Sequence, residues 1–343
     1  MAQEWGTGPL AESDVAPQRA AITAQDLPER AATATLSIPT ADELQVSWTD
    51  HWWPADDPGQ VVCSSLRGPD TEWGILDQNG FARLATGDPR VGSAPLARPP
   101  ERDSIAKWAA AKSFTPGRMT PVLADSTHLR ATPLPKPWPH DGMFGDISVA
   151  LLRPAGDGGV GFGRSWERTI RDTPIVHGAL PELTADGSFW GAVLCPGATF
   201  QSAVLVGDAK TGDTAWRTPW LDARGPNIDF AILSNAEHVL VTNCLWGAAY
   251  IVSREGEKRT FPRSLAAVSS KGKRVYLSVM PSPDSPWFLV AMDDAGDPLW
   301  RSDESFPAVQ ERPGQIAVSP SDSHVAVRTA NTIVIYETSE EGN

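Results

Sequence analysis

The sequence predicts an all-β fold: a single seven-bladed β-propeller of four-stranded antiparallel blades, closed by an N-terminal strand that completes the last blade. Three observations carry this. Two segments, Val204-Leu-Val-Gly-Asp-Ala-Lys-Thr-Gly-Asp-Thr-Ala-Trp216 and Phe288-Leu-Val-Ala-Met-Asp-Asp-Ala-Gly-Asp-Pro-Leu-Trp300, share one plan: an apolar strand, an acidic-glycine turn, and a Trp four residues after the glycine. Comparable turns fall at Asn79-Gly80, Asp125-Ser126, Ser165-Trp166, Thr211-Gly212, Glu255-Gly256, Ala295-Gly296 and Glu341-Gly342, in steps of 40 to 46 residues. A period of ~40–50 residues belongs to a four-stranded propeller blade. Upstream of these turns, Leu183–Phe189, Leu233–Val239, Val268–Val275 and Val318–Val325 each set a polar Gly, Asn, Asp or Ser turn between two apolar runs, which is hairpin chemistry.

Residues 1–32 contain no strand-like run, and Gly6, Gly8, Pro9, Pro17 and Pro28 interrupt them. They read as an N-terminal arm, either mobile or held on the ring or on a partner through Trp5 and Leu10. Residues 33–343 form the propeller. Thr33–Ile38 is assigned as the fourth strand of the last blade, because a three-stranded blade would leave an edge open to aggregation. The first blade runs Leu44–Trp48, Gln60–Ser64, Trp73–Asp77 and Phe81–Ala85. The span 88–116 is a degenerate or inserted segment with one helix candidate, Asp103–Ser113, capped by Asp103.

The later blades are more regular. The fifth contains His238–Thr242, Ala248–Ser253 and Lys258–Pro262. The sixth contains Leu265–Val268, Arg274–Val279, Phe288–Met292 and Pro298–Arg301, and in its second strand Val275, Leu277 and Val279 alternate with Tyr276 and Ser278. The seventh has Gln315–Ser319, His324–Arg328 and Thr332–Glu337. A chain of 343 residues exceeds the usual single core, but blades pack only on their neighbours, so one ring accommodates it.

The net charge of −13 and pI of about 4.9 argue against nucleic acid, which needs a concentrated basic surface. No secretory signal or membrane-length apolar run is present, so a cytoplasmic protein is expected. Cys63, Cys195 and Cys244 lie far apart and read as small buried hydrophobes rather than a disulfide or zinc framework. The six histidines form no local metal motif; His238 and His324 share one place in the repeat, which is a structural position. Gly161-Phe-Gly163 lacks the strand–helix context of a dinucleotide fingerprint, and no Walker motif or nucleophile elbow occurs. Asp293-Asp294 belongs to a repeated turn, where Asp accepts backbone hydrogen bonds. No catalytic residue, cofactor or metal is expected.

Among the 14 tryptophans two groups stand out. Trp216 and Trp300, with Phe261 near the equivalent place, are expected to wedge between blades. Trp52, Trp53, Trp246 and Trp287 are assigned to loops; Trp73, which opens the third strand of the first blade, is expected to share one face of the ring with Trp246 and Trp287, with Trp52 and Trp53 opposite. These five, with Trp5 and Leu10, are the candidate partner-binding residues; packing of the rings under their own loops is the alternative.

The stretch Gly207–Trp216, with Asp208, Thr211, Gly212 and Trp216 in order, resembles the tryptophan-docking repeat of the PQQ-like propellers, and Met292–Trp300 is a shortened version. Polar hairpins such as Val318-Ser-Pro-Ser-Asp322 look more like WD40 repeats. The likeness runs from about Leu180 to the C-terminus. The quinoprotein dehydrogenases of that superfamily are larger, exported, eight-bladed rings with a calcium-supported cofactor. The resemblance therefore implies, for this shorter chain, a non-catalytic scaffold or adaptor subunit that binds other protein subunits; charge and hydropathy add that neither nucleic acid nor membrane is expected as a partner. The alternative is an enzyme or small-ligand binder that uses the central funnel, with Asp70, Glu72 and Asp284 near its mouth.

Overall fold

The computed structural model of the chain describes residues 26–38, 47–55, 57, 59–67, 70–85, 127–134, 144–154, 162–174, 181–195, 201–222, 228–234, 236–243, 248–262, 264–269, 271–280, 286–307, 315–329 and 331–338. They form 24 strands in six sheets. Two short strands come first, β1 (Glu29–Arg30) and β2 (Ala34–Ser37). The first sheet follows, in the order β3 (Ser47–Pro54), β4 (Val61–Arg67), β5 (Asp70–Asp77) and β6 (Gly80–Arg83). A three-stranded sheet contains β7 (His128–Pro133), β8 (Phe144–Pro154) and β9 (Phe162–Pro174).

Three regular antiparallel meanders come next: β10 (Glu182–Leu183) to β13 (Thr214–Arg217) with β11 (Phe189–Leu194) and β12 (Ala203–Asp208); β14 (Ile228–Ile232) to β17 (Lys258–Phe261) with β15 (His238–Asn243) and β16 (Ala248–Ser253); and β18 (Ala266–Val268) to β21 (Pro298–Ser302) with β19 (Arg274–Val279) and β20 (Phe288–Asp293). The last sheet has β22 (Gln315–Val318), β23 (His324–Arg328) and β24 (Thr332–Glu337), with β2 as its fourth strand beside β24. First strands of neighbouring sheets lie against one another, β10 with β14, β18 with β22 and β22 with β3.

Each interior strand serves two cores because successive side chains point to opposite faces. In β19, Val275 and Leu277 pack toward the preceding sheet while Tyr276 packs toward the following one; in β20, Val290 and Met292 face one way and Leu289 and Ala291 the other. Five such clusters join the sheets pairwise in chain order, and the last of them packs Leu36, Ala326, Ile333 and Ile335 against Trp52, Val61, Cys63 and Leu76 of the first sheet. Each buried aliphatic or aromatic side chain contributes about 1.5–3 kcal/mol. The expected wedges are in place. Trp216 reaches the next sheet, its Nε1 donating to Ala236 O at 3.1 Å. Trp300 packs on Tyr336, and Phe261 lies in the core shared with the sheet after its own.

Two readings need correction. Ser165-Trp166 is not a turn but lies within β9, and the chain reverses between β8 and β9. His128 opens β7 as His238 opens β15 and His324 opens β23, while Asp125-Ser126, read as a turn of the same series, lies outside the described residues. Asp50–Pro54 is not a loop either, since β3 continues through it with an irregularity between Trp48 and Trp52. The span 88–116, with its helix candidate, lies outside the described residues.

Residues 26–32, assigned to the arm, cross the outer edge of the sheet formed by β18 to β21. There β1 pairs parallel with β21, Pro28 O and Arg30 O accept the Arg301 and Asp303 N–H groups, and Leu27 and Ala32 reach the cores on either side. An edge strand with unpaired backbone groups is a ready partner for an extended segment.

Candidate interaction surface

In a four-stranded meander, the first and third turns open at the same end of the sheet. The first turns share one geometry. Leu233, Ser269 and Ser319 donate their N–H to His238 O, Arg274 O and His324 O, and the residues at Gly187, Ala236, Gly272 and Asp322 are all left-handed, with φ of 71°, 53°, 69° and 62°. The third turns repeat a second geometry. Gly212, Gly256 and Gly296 have φ of 77°, 89° and 79°, and their N–H groups bond to Asp208 O, Ser253 O and Asp293 O. The Asp293 carboxylate accepts from the N–H groups of Ala295 and Asp297, as its place in the repeat predicts.

These turns are tied into one platform. Within sheets, Ala209 N–H donates to Ser188 O, Arg254 N–H to Glu237 O and Thr338 N–H to Ser323 O. Between sheets, Ser234 N–H donates to Gly272 O at 2.9 Å, and Lys271 N–H to an Asp322 carboxylate oxygen at 3.4 Å. Arg168 reaches forward to Thr211 O and Asp213, and Arg259 to Gly296 O and Asp297. A groove of about 290 Å³ opens between the sheet formed by β18 to β21 and the last sheet, lined by Ser269, Lys271, Lys273, Arg274, Ser321, Asp322, Ser323 and Thr338. The buried Tyr276 hydroxyl lies close to Arg274 and Thr338; burial pushes its ionisation up and Arg274 opposes this. Asp186, in the hairpin between β10 and β11, is held below the usual carboxylate range. Burial acts against its ionisation, but hydrogen bonds from the Thr184 hydroxyl and from Ser188 outweigh that.

The loop tryptophans take the packing alternative wherever they are described. Trp52 is 6% exposed, sits in the core between the last and first sheets, and donates from Nε1 to Gln315 Oε1 at 3.2 Å. Trp53 is 2% exposed and Trp73 half-buried, and their ring centroids are 5.4 Å apart, so they meet rather than lying on opposite faces. The reason is that β3 and β5 both flank β4, which brings the two rings together. Trp287 is fully buried against Phe306, 4.7 Å between centroids, with Nε1 donating to Pro307 O. Trp5, Leu10 and Trp246 lie outside the described residues, as does Asp284. Asp70 and Glu72 belong to β5, facing Arg67 and Ser65 in register.

What the sequence reading missed is the platform itself, because its ties are single hydrogen bonds between turns far apart in the chain. The signal available was the recurrence of the turns.

Cys63 and Cys195 are free and buried, and burial pushes the Cys63 thiol up to about 12; Cys244 lies outside the described residues. Among the described residues, no three His, Cys, Asp or Glu side chains group in a way that could hold a metal ion, and no helix is long and apolar enough to cross a membrane.

No protein-family model and no curated protein sequence matches the chain. Solved structures do. The hydrazine synthase of Kuenenia stuttgartiensis is 16% identical over 65% of this chain and 63% of its own, with a TM-score of 0.35, so this chain spans under two thirds of that protein's length. The β-propeller domain of the trilobed protease from Pyrococcus furiosus is 10% identical over 66% and 71%, with a TM-score of 0.38. The β-propeller domain of Cps50 (Swd1) from Myceliophteria thermophila is 12% identical over 89% of this chain and all of that one, with a TM-score of 0.41.

Proposed function

We propose that the chain is a seven-bladed β-propeller that acts as a non-catalytic scaffold or adaptor, a cytoplasmic subunit binding other protein subunits rather than nucleic acid or membrane. The count of seven rests on the repeat spacing in the sequence. One observation carries the functional reading: the hairpin turns of successive sheets are hydrogen-bonded to one another, so one face is a preorganised polar platform. A surface whose geometry is set before binding loses little freedom on association. The arm, whose described residues 26–32 lie along the outer edge of the sheet formed by β18 to β21, is a second contact element. The test is mild affinity capture of the full chain from its native source, followed by cross-linking and mass measurement. Stoichiometric co-purifying subunits are expected; recovery of monomer alone overturns the reading. Metal or organic cofactor analysis of the same sample separates it from the funnel-enzyme alternative, which requires a bound ligand or a turnover.

A further inference from the structure

Residues 26–32 cover the outer edge of β21, whereas β6, β9, β13 and β17 have no strand on their outer side among the described residues. The seat is chemically specific at three points. Leu27 packs on the core shared with the preceding sheet. Glu29 pairs with Arg301, a side chain 11% exposed whose guanidinium also lies over the Phe288 ring, 4.7 Å from its centroid. Arg30 lies over the Trp300 ring at 4.9 Å and donates from Nη1 to Glu337 O at 2.7 Å, so one guanidinium bridges two sheets. Between these side chains, Pro28 O and Arg30 O accept the Arg301 and Asp303 N–H groups at 2.9 and 3.0 Å.

The hold is specific but shallow. None of residues 26–32 is buried, the Glu29 side chain is 59% exposed, and the ladder is two residues of parallel pairing. Segments with so little buried apolar area open well below the global stability. Opening costs the seat more than the segment. Arg301 loses the carboxylate that neutralises it, and a largely buried guanidinium without its counter-charge is unfavourable. The segment remains tethered at Thr33, whose N–H donates to Ile335 O, so it returns unless another chain takes its place.

We propose that residues 26–32 are a displaceable strap, and that the seat beneath them is a strand-addition site for an extended segment of a partner protein. The fitting segment carries an apolar residue, a carboxylate two places later and an arginine directly after that. This rests on the scaffold reading and names the class of partner segment. The carboxylate restores the charge balance of Arg301, the arginine regains Trp300 and Glu337 O, and the apolar residue refills the place of Leu27. Main-chain bonds to Arg301 and Asp303 supply the rest of the affinity, as in other strand additions to a sheet edge.

Fluorescence anisotropy tests it with a labelled peptide copying residues 26–33 and a control peptide carrying Leu27→Ala, Glu29→Ala and Arg30→Ala. Both are titrated against the full chain, unsubstituted and with Leu27→Ala and Arg30→Ala to loosen the strap. The tethered strap competes at high effective concentration. The peptide is therefore expected to bind the loosened chain about tenfold or more tighter than the unsubstituted one, in proportion to the open fraction, and the control peptide to bind neither. Hydrogen exchange of the unsubstituted chain gives a second readout that needs no variant to fold: the Arg301 and Asp303 amides should exchange faster than those of Val290, Ala291 and Met292 in β20. Equal protection at the two places overturns the proposal, as does a correctly folded loosened chain that binds the peptide no better than the unsubstituted chain or the control. The strap and scaffold readings fail separately. Subunits captured equally with and without excess peptide remove the strap site and leave the scaffold, whereas peptide binding with only monomer captured does the opposite.

Discussion

The turns at 208–213 and 253–257 are two copies of one local device placed in different surroundings. In both, a side-chain oxygen of the first residue caps the bend: Asp208 accepts from the N–H groups of Lys210 and Thr211, and Ser253 accepts from that of Glu257. In both, a glycine sits at positive φ, 77° at Gly212 and 89° at Gly256. Their neighbours differ. A Cβ at Gly212 would come within 2.6 Å of the Trp166 ring, whereas one at Gly256 would meet nothing within 4 Å. Trp166 comes from β9 of the preceding sheet, and its Nε1 donates to Ala209 O at 2.7 Å. The equivalent Trp216 goes instead to the Ala236 carbonyl and leaves Gly256 bare. A glycine demanded by its own backbone is thus distinct from a glycine that also admits a neighbour, and only the second couples two sheets.

Removing the docked ring is the strongest way to break that distinction. Trp166→Ala is expected to cost about 3–5 kcal/mol, because it empties a buried site between two sheets; urea denaturation measures it. Next come the glycines themselves. Gly212→Ala combines left-handed strain of about 1–2 kcal/mol with overpacking of about 1–3 kcal/mol against Trp166, whereas Gly256→Ala carries the strain alone. Equal losses at the two positions would show that the dock adds nothing at Gly212. In the Trp166→Ala background the two losses should converge, which a double-mutant cycle reads directly.

The smallest effect is electrostatic. The hydrogen bond from Arg168, with help from Thr211, holds the exposed Asp213 carboxyl below its usual range. A lowered folded-state pKa adds stability that is fully present above the ordinary carboxylate value and is lost as pH falls through the folded one. Arg168→Gln should therefore destabilise slightly at neutral pH, and the gap to the unsubstituted chain should close under acid. A gap that persists at low pH would assign the effect to the Arg168 hydrogen bond to Thr211 O instead.

Legibility followed the range of the interactions. Asp208, Gly212, Asp293 and Gly296 announce their turns because Asx capping and positive φ are set by residues two to four apart. The last sheet was legible too, since Ala34–Ser37 has the apolar alternation of a strand and nothing nearby to pair with; it lies beside β24. Trp52, Trp53 and Trp287 misled, because an indole between polar residues looks the same in sequence whether it faces solvent or a core. Pro28–Arg30 gave no sign of β1, since a two-residue parallel strand has no periodicity, and it forms only where β21 offers an edge.

By itself, the sequence determined the all-β class, the repeated hairpins and the residue type at each bend, because those depend on local backbone sterics and short-range hydrogen bonds. Only the tertiary structure decided which sheet receives each tryptophan and where residues 26–32 lie, because those outcomes depend on neighbours brought together from distant parts of the chain.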